Sequence, residues 1–262
     1  MLNYKKKIIQ ILTIIIILYF SILILFTIFQ KDLVYYPDNQ DFNNCKAFED
    51  SEKITYNGTR FYYKEKSDQL IVIYHGNARS ACSRGYIKEI IDQYDLSYIF
   101  VEYTGYSNDK NKPSKKAIIS DIKNVNTFIT ELNPTKTIYL GESIGTGVVS
   151  YHASINEPNT LILVSPFDSI LSVAKKKFWM FPVKLVFKEN FDNINSLKNF
   201  NNKLIIFHGI DDKTVPISHS KELFDTLQIE SKQYVKIDNA GHNDVFNTEE
   251  FNVKFKKLIE EI

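Results

Sequence analysis

Cysteine is scarce: Cys45 and Cys82 are the only two in 262 residues. They lie too far apart for a Cys-x-x-Cys redox pair, and no Cys/His cluster offers a metal framework. Charge of one sign is also missing, because 32 Lys and Arg balance 31 Asp and Glu to leave +1. That balance excludes the polycationic surface that nucleic-acid binding needs. There is no Walker or dinucleotide fingerprint, no internal repeat and no low-complexity tract. Alanine is absent before Ala47, which removes the small-residue cleavage site of a secretory signal peptide.

An unbroken apolar run stands at the start. Ile8 to Phe29 carries no charge and as a helix would extend roughly 33 Å at about 1.5 Å per residue, enough to cross a bilayer. Lys5, Lys6 and Lys7 precede it, whereas Lys31 is followed by Asp32, Asp38 and Asp41. The positive-inside bias predicts a cytoplasmic N-terminus and a globular part on the extracytoplasmic side. The expected organisation is an N-terminus and transmembrane anchor over 1–30, a polar connector over 31–50 and one domain over 51–262.

Beyond the connector, Asn57-Gly58 between runs rich in Ile, Tyr and Phe predicts an antiparallel hairpin. The glycosylation sequon at Asn57-Gly58-Thr59 is accounted for by that turn. Apolar runs then alternate with amphipathic stretches: "LIVIYHG" and Ser80 to Tyr94, "YIFVEY" and Ser114 to Leu132, "TIYLG" and Ile144 to Ile155, then "TLILVS". The pattern resumes with "KLIIFHG", a helix from Ile217 to Leu227, "QYVKI" and a last helix from about Thr248. Near-continuous apolar strands separated by helices predict an α/β fold, with a mostly parallel sheet covered on both faces. Residues 167–202 interrupt it after the sixth strand as a lid-like insertion.

Three of the nine glycines, Gly141, Gly145 and Gly147, crowd around one serine in "IYLGESIGTGVVSYHAS". The spacing Gly141-Glu142-Ser143-Ile144-Gly145 fits G-x-S-x-G, a strained strand-to-helix turn that presents its serine hydroxyl as a nucleophile. Taken alone, the pentapeptide also fits a glycine-rich loop with an incidental serine. In a parallel sheet the functional groups gather at the carboxyl ends of strands. There the chain offers Asn77 after "LIVIYHG", whose N–H suits an oxyanion donor together with that of Ile144. Another strand ends at Asp211 and Asp212, one of which should orient a histidine, and His242 follows the last strand. His75 is read as a loop-stabilising group, and His152 and His219 as structural residues on helices. Asp168 is the next candidate acid if neither Asp211 nor Asp212 serves.

The segments "HGNARS", "VEYTGYSNDKNKPS", "GESIGTG", "SPFDSI", "HGIDDKTVP" and "AGHND" resemble, in order and spacing, those of α/β hydrolases. Over residues 50 to 262 the chain looks most like the membrane-tethered branch that includes bacterial serine hydrolases and the eukaryotic α/β-hydrolase-domain depalmitoylases. The resemblance implies the α/β hydrolase fold, Ser143 as nucleophile, Asp212 as acid, His242 as base, and Asn77 with Ile144 as the oxyanion hole. It also implies a substrate bearing an acyl group, whether lipid, small ester or acylated protein, and no metal or cofactor. The family's depalmitoylases carry N-terminal cysteines for palmitoylation, where this chain has an apolar span.

The reading is therefore a membrane-anchored serine hydrolase of acyl esters or thioesters. A serine peptidase of the same fold and a non-catalytic, membrane-anchored binding protein are the alternatives. An extracytoplasmic domain would also favour a disulfide between Cys45 and Cys82, against two unrelated thiols. The aromatic and lysine-rich insertion suits either a lid at a membrane surface or one packed on its own core.

Overall fold

In the computed structural model, residues 2–261 are described, with side chains from residue 4 onward. The chain opens with α1 (Leu2–Val34), which extends beyond the apolar run at both ends. A hairpin follows, β1 (Glu52–Tyr56) and β2 (Thr59–Lys64), joined at Asn57 and Gly58 with φ of 48° and 87°. Two positive φ values match the turn that suits the right-handed twist of paired strands. Then come β3 (Gln69–Tyr74), α2 (Gly85–Ile91), β4 (Ser97–Glu102), α3 (Lys115–Leu132), β5 (Lys136–Glu142), α4 (Ile144–Ile155) and β6 (Thr160–Val164). The insertion holds three short helices, α5 (Ile170–Lys177), α6 (Val183–Val186) and α7 (Asn193–Leu197). β7 (Lys203–Gly209), α8 (Ile217–Thr226), β8 (Lys232–Ile237) and α9 (Glu249–Glu260) close the fold.

One sheet of eight strands runs in the order β1-β2-β4-β3-β5-β6-β7-β8. The first two pairings are antiparallel and the other five parallel. This is the mostly parallel sheet with an N-terminal hairpin that the pattern of runs predicts. Side-chain alternation fills both faces: Leu70, Val72 and Tyr74 of β3 enter one core, Ile71 and Ile73 the other. Against the first face pack α3, α4, α8 and the insertion. On α3, Ile118, Ile122, Val125 and Ile129 recur at helical spacing and are buried. Ser114 caps that helix by accepting from the Ala117 N–H, and Asn133 ends it in the left-handed region. The second face is covered by α2, α9 and a segment whose polar composition and lack of period hide its place there.

That segment is the supposed connector. Residues 35–50 hold Tyr35, Phe42, Cys45 and Phe48, all buried. Phe42 and Phe48 stack on Tyr62 at 4.6 and 4.3 Å between ring centroids. Cys45 is disulfide-bonded to Cys82, so the polar stretch is a folded part of the domain. The helix expected from Ser80 to Tyr94 is shorter, beginning as a 3₁₀ turn at Ala81–Arg84 before α2. Cys82 lies within that turn.

Candidate active site

The register of the sheet aligns the ends of its central strands: Tyr74 pairs with Gly141, Val164 with Phe207 and Gly209 with Ile237. Loops after β3, β5, β7 and β8 thus leave from one edge. Between β5 and α4 the backbone turns at Ser143, whose φ is 51° and ψ −116°. An L-residue there is strained, and the surrounding packing must hold it. A Cβ on Gly145 would come within 2.1 Å of the Tyr74 carbonyl oxygen, and one on Gly141 within 2.5 Å of the Gly145 oxygen. Only glycine permits helix and sheet to approach that closely, which explains the crowding. The Ser143 N–H donates to the Val164 carbonyl at 2.9 Å and fixes the turn across the sheet.

Ser143 Oγ lies 2.8 Å from His242 Nε2, and His242 Nδ1 lies 2.6 Å from Asp212 Oδ2. With Nδ1–H donated to the carboxylate, Nε2 is left to accept the serine proton. Asp212 is 5 % exposed, and its Oδ1 accepts the N–H groups of Thr214 and Val215, each at 2.8 Å. Burial alone would raise its pKa, but hydrogen bonds from His208 and His242 and the Val215 N–H hold it far below the usual carboxylate range. His208 of β7 lies 3.2 Å from Asp212 Oδ2 and 2.9 Å from the Val215 carbonyl. Asp211 is exposed, and its N–H donates to the Ala240 carbonyl at 3.0 Å. The strand end therefore brings Asp212, and not Asp211, to His242.

Asn77 and Ile144 both line the cleft in front of Ser143, and no hydrogen bond among the described residues engages either N–H. The Asn77 side chain is used for structure: its Oδ1 accepts from the Tyr36 N–H at 3.1 Å and the Tyr106 hydroxyl at 3.2 Å. Beneath this loop lies a buried ion pair that sequence reasoning missed. Glu142 Oε2 accepts from Arg84 Nε at 2.9 Å and from the Gly76 N–H at 3.0 Å, and an Arg84 terminal N–H donates to the Ala78 carbonyl at 2.7 Å. Burial would raise the Glu142 pKa, yet Arg84 and the Gly76 N–H keep it below the ordinary value. The signal was available, since Glu142 is a carboxylate at the end of an otherwise apolar strand.

The remaining expected groups fall outside this cluster. His75 is buried with Nδ1 2.7 Å from the Gly76 carbonyl. His152 is enclosed by Tyr74, Tyr139 and Asn126, and burial pushes its pKa down to about 3, so it is neutral. Asp168 is bonded to His219 at 2.6 Å and ties the insertion to α8. Among the described residues no group of three or more His, Cys, Asp or Glu side chains is arranged so that it could hold a metal ion. The cleft at Ser143 is about 290 Å³. A wider groove of about 580 Å³ by Tyr86, Tyr94 and Phe246 holds none of the candidate groups.

No family model matches the chain. A protein named as an alpha/beta hydrolase, L404 of Acanthamoeba polyphaga mimivirus, is 33 % identical over 186 residues, covering 68 % of each chain. Human alpha/beta hydrolase domain-containing protein 17B is 30 % identical over 150 residues, 55 % of this chain and 49 % of that one. An uncharacterized protein of Mycobacterium tuberculosis is 25 % identical over 181 residues, and there too the match spans 64 % of the relative's length. Among solved structures, an esterase of Pyrococcus furiosus superposes with a TM-score of 0.66 at 16 % identity, over 87 % of this chain and 98 % of that one. A monoacylglycerol lipase of Paleococcus ferrophilus gives 0.59 at 15 % identity, over 78 % and 97 %. At such identities the structures speak for the fold, and the mimivirus relative for descent: the chain belongs to the alpha/beta hydrolases.

Proposed function

We propose that the protein is a membrane-anchored serine hydrolase that cleaves acyl esters or thioesters. The observation that carries this reading is the continuous chain of contacts from Asp212 through His242 to Ser143. In the proposed cycle His242 Nε2 takes the Ser143 proton as Oγ attacks the acyl carbonyl. Asp212 holds the imidazole tautomer and stabilises the imidazolium. The N–H groups of Asn77 and Ile144 receive the oxyanion. Collapse of the tetrahedral intermediate breaks the bond to the alcohol or thiol, which leaves with the proton from His242, and the acyl group stays on Ser143. Water, deprotonated by the same imidazole, then releases the acid and restores the serine.

α1 is long and apolar enough to cross a membrane, and it serves as the anchor in this reading. The lysines before the run and the acidic residues after it favour a cytoplasmic N-terminus. The Cys45–Cys82 disulfide supports an oxidising space for the catalytic part. The anchor is assigned to residues 1–30, the catalytic domain to 51–262 and the lid to 167–202, with the packed segment 35–50 added to the domain.

The test is turnover of a short water-soluble ester such as p-nitrophenyl acetate by the full chain. Ser143→Ala should lower it to the level of a protein-free control. Retention of the wild-type rate by that variant would overturn the reading.

A further inference from the structure

We infer that the anchor helix is itself a wall of the acyl-binding groove, so that the substrate is a membrane-resident amphiphile whose acyl chain slides to Ser143 sideways from the lipid leaflet. This rests on the hydrolase reading above.

The first observation is a stripe. From residue 4 to residue 34 of α1, only Tyr19, Leu23, Phe26, Thr27, Gln30 and Val34 are withdrawn from solvent. Apart from the adjacent pair Phe26 and Thr27, steps of three and four keep them on one face of the helix. That face packs on the lid at three levels. The Tyr19 ring stacks on Phe181 at 5.2 Å, and its hydroxyl donates to the Met180 carbonyl at 3.2 Å. Phe26 meets Phe178 at 5.3 Å and Phe187 at 6.2 Å. Gln30 donates from Nε2 to the Val186 carbonyl at 3.2 Å and accepts the Lys188 N–H at 2.6 Å. A plain tether would touch the domain only where it enters it; this helix is bound from Tyr19 to Val34.

The second observation is the composition of the cleft. Phe26, Leu33 and Val34 of α1 line it together with Phe167, Val173 and Phe178 of the lid side, and Ser143 opens into it. Val34 to Phe26 spans eight residues, or about 12 Å along the helix axis. The cleft therefore runs from the reactive hydroxyl to a phenylalanine within the charge-free run 8–29. If that run lies in a bilayer, the far end of the cleft lies at the depth of hydrocarbon.

The third observation is what the lid shows on its outside. Trp179 and Leu185 are 78 % and 81 % exposed, and Met180 is exposed beside them. They flank residues that touch the apolar span, so an α1 seated in a bilayer would carry them close to its surface. Lys175, Lys176, Lys177 and Lys184 stand among them, and long lysine stems can lie along an apolar surface while their ammonium groups reach the headgroups. Most of the lining is thus apolar: Ser143, Asn77 and Thr214 lie at the reactive end, and Lys177 lines the cleft beside Phe178. A ligand with a long hydrocarbon tail and a carbonyl at its head fits that polarity. A small soluble ester makes no use of the distal wall.

The test uses the full chain reconstituted in phosphatidylcholine vesicles, with kcat/KM measured for a vesicle-embedded palmitoyl ester and for an aqueous acetyl ester. Phe26→Trp narrows the groove and should lower the palmitoyl-to-acetyl ratio on the order of tenfold, the scale of overpacking a filled site. Ile24→Trp places the same indole on the exposed side of α1 and should leave the ratio unchanged. A second measurement does not depend on any variant: a long-chain fluorophosphonate with a photoreactive group in mid-chain, delivered in vesicles, should attach at Ser143 and cross-link to residues 23–34 on illumination. An unchanged ratio in Phe26→Trp, an equal fall in Ile24→Trp, or cross-links only outside α1 and the lid would overturn the inference. So would turnover of the acetyl ester alone by the wild-type chain, with the hydrolase reading intact. Turnover of neither ester would remove the hydrolase reading and this inference with it.

Discussion

The two sides of the Ser143 cleft are built by different physics. On the sheet side every group is placed by backbone geometry and buried polar contacts: the strained Ser143 turn, the N–H groups on Asp212, the Glu142–Arg84 pair under Gly76. On the anchor and lid side the side-chain packing is ring against ring, with Phe26 on Phe178 and Tyr19 on Phe181, Tyr19 and Gln30 add a few hydrogen bonds with the lid backbone, and large apolar groups remain exposed. Polar groups in a dry interior have few arrangements that satisfy them, so the sheet side is specified sharply. Apolar contact is non-directional and tolerates repacking. On the proposed reading, chemistry and selectivity can then change independently: the sheet side would set what bond is broken, the other side which acyl group is presented.

The comparison breaks most visibly at Asp212. Asp212→Asn should cost on the order of 10⁴ in turnover by favouring the wrong histidine tautomer. Asp211→Asn, at an exposed carboxylate, should change the rate little. A kcat profile of both variants on one ester decides it, and the reverse order would assign the acid wrongly.

Next in size is the buried pair. Arg84→Met leaves Glu142 uncompensated and frees the Ala78 carbonyl, and should destabilise by about 3–5 kcal/mol. Adding Glu142→Gln should recover part of that loss, because an unpaired charge no longer remains buried. Chemical denaturation of the two proteins checks it. If the single variant were as stable as wild type, the pair would not be holding the loop that carries Asn77.

The disulfide comes third. Cys45→Ser with Cys82→Ser should lower stability by about 2–4 kcal/mol, chiefly by releasing the unfolded chain. The pair should also resist thiol alkylation in intact cells until a reductant is added. Free alkylation without reduction would contradict both the bridge and the extracytoplasmic placement.

A smaller effect tests the sheet side through pH. His152 has its folded pKa lowered to about 3 by burial, against about 6.5 unfolded. The unfolded chain binds the proton first, so its contribution to stability is complete above about pH 6.5 and is lost as pH falls toward the folded value. Between pH 6.5 and pH 5 that loss amounts to about 2 kcal/mol at 1.4 kcal/mol per unit. His152→Gln should be the less stable protein at pH 7.5, and its deficit should shrink by about that amount at pH 5.

Much of the sheet side was legible because parallel strands read as apolar runs, and the candidate site residues follow their carboxyl ends. Ser143, Asp212 and His242 lay at such ends, and the hairpin turn was written in Asn57-Gly58. The choice between adjacent aspartates came from motif alignment, since strand position alone leaves both open; burial of Asp212 and exposure of Asp211 are tertiary facts. The stretch 31–50 read as a connector because the contacts of its later part, Phe42 and Phe48 on Tyr62, obey no local period. The stripe on α1 was hidden for the opposite reason. In a run that is apolar nearly all round, one buried face leaves no contrast, and Gln10, Thr13 and Ser21 on the exposed side are as polar as Thr27 on the buried one.

The most direct test of the account is to treat the full chain with a fluorophosphonate and map the modified peptide by mass spectrometry. The account predicts one adduct, on Ser143, whose formation is abolished in Ser143→Ala and strongly slowed in Asp212→Asn. Absence of labelling in folded wild-type protein, or an adduct on a different serine, would contradict it.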